Sequence, residues 1–225
     1  MNTDNWDYFY KIVDGRPNPT NLLYTPLVNT EGNVMCMLWD ENSPYQENTR
    51  LTADLVNFFF EREVKYLTAL QGKPWVPKLI EVNQSSRKIF IEWNKETLNT
   101  IIFTPGRNLD AECPNWKEQI FRMLKDVLDS GYYKMALYPH CFFIDRQGNI
   151  KSFDLYSVIE RDNPFIERKI IEGMIGHNST ERFDISTNNG VINFETFFKL
   201  TLTDHLKHSW PDNPFPEYYE RLFND

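Results

Sequence analysis

A chain of 225 residues with 41% hydrophobic and 15% aromatic content has ample material for a packed core and is sized for one large domain or two small ones. With 32 acidic residues against 24 basic ones the net charge is −8, which argues against nonspecific binding to nucleic acid or to an anionic membrane. No apolar run approaches the ~20 residues of a membrane span, the start of the chain lacks a signal peptide's charged and apolar regions, and Cys36, Cys113 and Cys141 show no C-x-x-C spacing and suit a reducing compartment, so the expected location is the cytoplasm.

In chain order, residues 8–13, 22–28 and 33–39 read as strands, the last two separated by the turn Asn29-Thr30-Glu31-Gly32-Asn33. Leu55, Phe59, Val64, Leu67 and Leu70 form an approximate helical stripe that stops before Gly72, predicting a long helix over 51–70. Residues 75–82 and 88–93 flank a turn at 83–87 and predict an antiparallel pair, and the segment 103–114, with Pro105-Gly106, Asp110 and Pro114, reads as an exposed excursion. Asn115 is a fitting N-cap with Glu118 three residues on, and Trp116, Ile120, Met123, Leu124, Val127 and Leu128 predict a helix over 116–128 that Ser130-Gly131 stops. Residues 141–144 and 150–153 then read as a hairpin around the polar turn Asp145-Arg146-Gln147-Gly148-Asn149, with Asp154 at its exit. Further helices are expected over 164–175, opened by Asn163-Pro164, over 194–208, and around 218–223 after the proline-rich connector 211–216.

Helix, loop, hairpin and aspartate in this order resemble the catalytic segment of the protein kinase superfamily, whose pattern is H-x-D, four residues, N, a strand, a turn, a second strand and D-F-G. Pro139 takes the place of the loop's common proline, Asp145-Arg146-Gln147-Gly148 the turn, and Asp154-Leu155-Tyr156 the D-F-G. The helix over 51–70 is similar to the one that carries the glutamate of the N-lobe, with Glu63 the better match and Glu61 the second, and Glu92-Trp93-Asn94-Lys95 falls at the hinge. The resemblance implies an α+β, two-lobed kinase-like fold. It would have an antiparallel-sheet N-lobe with one long helix over 1–93, and a reduced, mainly helical C-lobe over 94–225 that carries the hairpin 141–153.

The departures from the family pattern fall on the chemistry. The catalytic-loop aspartate is replaced by Ala136, the magnesium-binding asparagine by Cys141 and the histidine by Lys134. A methyl group cannot accept a proton, and a thiol is a poor magnesium ligand beside a carboxamide or carboxylate oxygen. No lysine occurs between Lys11 and Lys65, so the strand position that pairs the nucleotide phosphates falls on Met37, Leu38 or Trp39. The phosphate-covering loop, residues 14–21, holds one glycine and two prolines, which cannot offer backbone N–H groups; Arg16 or Arg50 could substitute as a cation, though a surface arginine is the commoner identity of either.

Two functions of different class follow. In the first the chain is a non-catalytic pseudokinase, a binding or scaffold protein for an unidentified protein or small molecule, with Glu63, Glu92, Trp93, Tyr138, His140 and Asp154 as its candidate cleft and no cofactor required. In the second it is an atypical phosphotransferase that uses ATP and Mg, keeps Asp154 as metal ligand and recruits Asp145, Glu63 or His140 for the rest. Loss of the lysine, the aspartate and the asparagine together favours the first, because phosphoryl transfer is almost wholly positioning and electrostatics. The compact size and stripped loop would suit a viral or mobile-element copy of the fold. An Asp154 that merely caps the following turn, a solvated helix face at His205 and His208, a capped polar loop at 177–183 and an inert His140-Cys141 pair are the bland alternatives at those residues.

Overall fold

The computed structural model describes residues 1–9, 12–13, 16–17, 23–40, 52–134, 137–160, 165–167, 191–193 and 210. In chain order the elements are β1 (Asp7–Tyr8), β2 (Ile12–Val13), β3 (Arg16–Pro17), β4 (Thr25–Val28), β5 (Val34–Leu38), α1 (Ala53–Ala69), β6 (Leu79–Asn83), β7 (Lys88–Glu92), α2 (Leu98–Phe103), α3 (Leu109–Glu112), α4 (Trp116–Asp129), β8 (Tyr132–Lys134), β9 (Phe142–Ile144), β10 (Ile150–Ser152), β11 (Val158–Glu160), β12 (Phe165–Glu167) and β13 (Val191–Asn193). The chain divides into two compact units, Met1–Trp116 with Pro139–Tyr156, and Lys117–Tyr138 with Ser157–Asp225. Among the described residues no helix is long and apolar enough to cross a membrane.

The first unit is built on a five-stranded antiparallel sheet in the order β1-β4-β5-β7-β6. Its register follows from strand alternation: Leu27 pairs with Cys36 and Cys36 with Phe90, so the three side chains share one face, and Trp6 lies across it with its ring edge-on to Phe90 at 5.7 Å. Met35, Met37, Ile89 and Ile91 alternate onto the opposite face and are fully buried. Trp39, in step with Met35 and Met37, meets Phe60 of α1 at 6.5 Å, which places the helix on that face. Helix α1 starts where Thr52 accepts the Leu55 N–H at 3.3 Å and buries Val56, Phe59, Phe60, Glu63, Tyr66 and Leu67 along one stripe.

The same unit contains the hairpin. β9 and β10 pair antiparallel around a turn in which Asp145 Oδ1 accepts the N–H groups of Gln147 and Asn149, both at 2.8 Å, and Gly148 adopts φ +83°. Three bonds attach it to the sheet side of the unit: Ser152 N–H to the Trp75 carbonyl at 2.7 Å, Asn94 Nδ2 to the Ile144 carbonyl at 2.6 Å, and a bridge between Thr97 and Phe143.

In the second unit the chain leaves α4 at Asp129 and turns at Gly131, φ +82°, and β8 pairs antiparallel with β11, Lys134 facing Val158. Lys134 is buried, its Nζ 3.5 Å from the Ser157 hydroxyl, and Trp210 donates its indole N–H to the Leu137 carbonyl at 2.8 Å.

Several elements differ from the sequence expectations. The strand expected over 8–13 is two pieces, β1 in the large sheet and β2 paired with β3 through Ile12–Pro17 and Val13–Arg16. Cys141 ends a 3-10 turn, Pro139–Cys141, ahead of β9 instead of opening the strand. The excursion over 103–114 is mostly exposed, as expected, but it contains the short helix α3 and is tied down: Arg107 holds Glu96 and Glu112, and Trp116 donates to Asp110 Oδ1 at 2.7 Å. Where a helix was expected over 164–175, Phe165–Glu167 is extended and pairs with Val191–Asn193; a distant partner strand outweighs the local spacing. The helices expected over 194–208 and 218–223, with the loop at 177–183 and the histidines at 205 and 208, lie outside the described residues. Of the mainly helical portion expected over 94–225, the described residues contain α2, α3 and α4 beside three two-stranded pairings.

Candidate functional site

Asp154 leaves β10 through a left-handed backbone conformation, φ 63°, which a short polar side chain tolerates better than most. Its carboxylate is buried, and Oδ1 accepts the hydroxyl proton of Tyr24, the residue just ahead of β4. Burial first, and then the Asp154 charge, push the Tyr24 phenol well above its usual range, so the hydroxyl remains a donor.

Two residues on, Tyr156 is held from α1. Glu63 Oε2 accepts its backbone N–H at 2.5 Å and Arg62 Nε donates to its carbonyl at 3.0 Å, so consecutive helix residues grip both polar groups of one residue. The Arg62 guanidinium also lies over the Phe58 and Tyr66 rings at 5.5 and 5.2 Å. The Tyr156 ring packs edge-on to Trp39 at 5.8 Å and to Phe59 at 5.6 Å, and Trp39 packs on Tyr24 at 5.0 Å. An aromatic cage of Tyr24, Trp39, Phe59 and Tyr156 therefore joins the two carboxylates, Glu63 and Asp154, that the sequence singled out.

The other candidates are arranged differently. Trp93 is buried against Phe9, Phe143 and Phe153 at 4.9, 4.8 and 5.5 Å, an aromatic stack at the junction of sheet and hairpin. Glu92 accepts the Lys78 N–H at 2.9 Å and lies 3.5 Å from Lys151, which is also 3.6 Å from Asp145; these are ties between strands and hairpin. Tyr138, just ahead of the 3-10 turn, and His140, within it, are half-buried, and Cys141 at its end is buried, its carbonyl accepting the Phe153 N–H at 3.1 Å. Ala136 and Arg50 lie outside the described residues, as does the side chain of Arg16.

Asp154 is the residue that would hold magnesium under the phosphotransferase reading. Among the described residues no group of three or more His, Cys, Asp or Glu side chains could hold a metal ion. At Asp154 one carboxylate oxygen is engaged by a phenol, whereas magnesium demands an octahedral shell of oxygens. Met37 and Trp39, two of the three strand residues at which a kinase would carry its phosphate-pairing lysine, are 0% and 1% exposed.

Sequence reasoning overlooked Tyr24 and Arg62 and took Trp39 only as one of three residues, with Met37 and Leu38, at the place of a missing lysine. The available signal was the indole itself: a buried Trp39 at the end of a strand needs apolar neighbours, and Tyr24, just ahead of β4, and Tyr156, past the hairpin, supply aromatic ones.

No family model matches the sequence, and no curated protein matches it. Among solved structures, WbdD co-crystallised with a kinase inhibitor superposes with a TM-score of 0.50 at 14% identity, over 91% of this chain and 43% of that one. Monomeric WbdD gives 0.48 at 13% identity over 80% and 44%, and a high-resolution WbdD structure 0.48 at 14% over 61% and 31%. WbdD is a bifunctional kinase-methyltransferase. The chain spans less than half the length of the WbdD chains it matches. At such identity the likeness is one of fold: the α+β arrangement, with its five-stranded antiparallel sheet and long helix, is kinase-like.

Proposed function

We propose that this chain is a non-catalytic kinase-like binding or scaffold protein, a pseudokinase, organised as an N-lobe over residues 1–93 and a C-lobe over 94–225. The observation that carries this reading is the engagement of Glu63. In the kinase family the corresponding glutamate pairs a strand lysine that holds the nucleotide phosphates; here its Oε2 accepts the Tyr156 backbone N–H at 2.5 Å, and the strand supplies Trp39. Ala136 and Cys141, at the positions of the catalytic aspartate and the metal-binding asparagine, support the same conclusion from the sequence.

The partner class that suits an aromatic-rich, acidic chain is a protein or a small molecule, with neither nucleic acid nor membrane as target, acting in the cytoplasm without ATP or Mg as cofactor. Glu63, Glu92, Trp93, Tyr138, His140 and Asp154 remain the residues through which a ligand would be sought. The test is incubation of the full chain with labelled ATP and Mg or Mn, read for hydrolysis, autophosphorylation and AMP transfer. No turnover above a heat-treated control is expected. Label transfer abolished by Asp154→Asn would reject this reading in favour of an atypical phosphotransferase with Asp154 as metal ligand.

A further inference from the structure

We propose that the Tyr24 hydroxyl and the Asp154 carboxylate form a permanent structural latch, in which the phenol takes the place a cation would need and Asp154 acts as a folding residue. The inference goes beyond the non-catalytic reading, because a chain without catalytic groups could still hold a metal at this carboxylate.

Three observations converge on it. First, the two residues lie 130 positions apart, and their bond joins the segment entering β4 to the exit of the hairpin within one compact unit. Second, both side chains are buried, Tyr24 at 0% and Asp154 at 1% exposure, so losing the phenol donor removes part of what offsets the desolvation of the carboxylate. Tyr24 stays protonated in this setting and can donate throughout the physiological range.

Third, the backbone around Asp154 is already fixed from other sides. Phe153 N–H binds the Cys141 carbonyl at 3.1 Å, and Tyr156 is gripped by Glu63 and Arg62. Aspartate is thereby held at φ 63°, and the phenol meets it from the cage formed with Trp39. A metal entering at Oδ1 would have to displace the Tyr24 hydroxyl from a site walled by aromatic rings, while bringing several waters of its own. No residue cluster among those described compensates for that loss.

The test uses the full chain and Mn alone as probe. Uptake of Mn is followed by electron paramagnetic resonance, and urea unfolding is measured for the wild type, Tyr24→Phe, Asp154→Ala and the double variant. The expected result is no saturable Mn uptake up to millimolar concentration and no Mn-induced rise in the unfolding midpoint. Each single variant should raise the unfolding equilibrium constant at least tenfold, and the double variant should fall short of the product of the two by tenfold or more, the signature of a direct interaction. Stoichiometric Mn uptake lost in Asp154→Asn, or independent effects of the two substitutions, would overturn the latch. If Asp154→Ala does not fold, the cycle is run with Asp154→Asn, whose amide oxygen still accepts, and Tyr24→Phe should then cost much less in that background than in the wild type if the charge matters to the bond. Phosphate transfer is a separate measurement: an inactive chain that binds Mn at Asp154 defeats the latch alone, and an active chain with an intact coupling defeats the non-catalytic reading alone.

Discussion

Glu63 and Tyr156 meet across 93 positions of sequence, the helix carboxylate accepting the backbone N–H at 2.5 Å. Because Glu63 is fully buried, truncation would leave that N–H unsatisfied and open a void under α1. Glu63→Ala should lower stability by about 2–4 kcal/mol, whereas Glu63→Gln, which keeps one acceptor oxygen in the same shape but loses the charge and exchanges the other oxygen for an amide donor, should cost about 1 kcal/mol. Urea denaturation compares the two. Equal losses would show that the N–H bond contributes nothing specific.

The hairpin turn gives a purely conformational prediction. Gly148 has φ +83°, and a Cβ there would meet nothing within 4 Å, so Gly148→Ala has no clash to relieve. It should cost about 1–2 kcal/mol from the left-handed backbone alone, with an unchanged denaturant slope. Asp145→Ala removes the acceptor of the Gln147 and Asn149 N–H groups and should act in the same direction.

What was readable in advance was local. The stripe of Phe59, Val64 and Leu67 with its stop at Gly72 marks α1, and Asp145 with Gly148 marks the turn of the hairpin, because period and turn chemistry act over a few residues. Two neighbouring pairs of the sheet, β4 with β5 and β6 with β7, follow from the same cues, with the turns at Gly32 and Arg87 between their strands. The contacts that define the candidate site are of another kind. Tyr24 with Asp154, Trp39 with Tyr156 and Arg62 with the Tyr156 carbonyl each join elements far apart in the chain, and no periodicity encodes a partner. The segment at 165–167 shows the same limit from the other side: Asn163-Pro164 and a helical spacing are present, yet pairing of Phe165 with Asn193 makes the segment extended.

Cys36 offers a chemical check on the sheet core. Burial pushes its thiol up to about 12, only partly offset by the positive charge of Lys88, so at pH 8 almost no thiolate is present to react. Iodoacetamide should label it in the native chain at least a hundredfold more slowly than in urea. The linkage has a definite sign: with the folded pKa above the unfolded one, the contribution of the neutral thiol is complete below about pH 8.5 and is lost as pH rises toward 12. The raised Tyr24 pKa acts in the same direction at higher pH. Stability measured from pH 8 to 11 should therefore decline, less steeply in Cys36→Ala. A flat profile in the wild type would contradict the buried placement.

Placing the kinase pattern's loop residues in this chain should not create phosphotransfer. In the double variant Ala136→Asp, Cys141→Asn there is still no lysine between Lys11 and Lys65, Glu63 still accepts the Tyr156 N–H, and Asp154 still accepts the Tyr24 hydroxyl. Each absent part of a phosphotransfer site removes orders of magnitude in rate, because positioning and charge stabilisation act together. The second substitution also has a structural cost. Cys141 is 2% exposed, and its carbonyl anchors the Phe153 N–H immediately before Asp154; an amide in place of the thiol introduces two donors and an acceptor into a space shaped for sulfur. Cys141→Asn alone should cost about 1–3 kcal/mol, and the double variant should show no transfer from labelled ATP with either Mg or Mn. An active double variant of undiminished stability would mean that the remaining parts suffice for catalysis, and both the non-catalytic reading and the packed role of Cys141 would have to be given up.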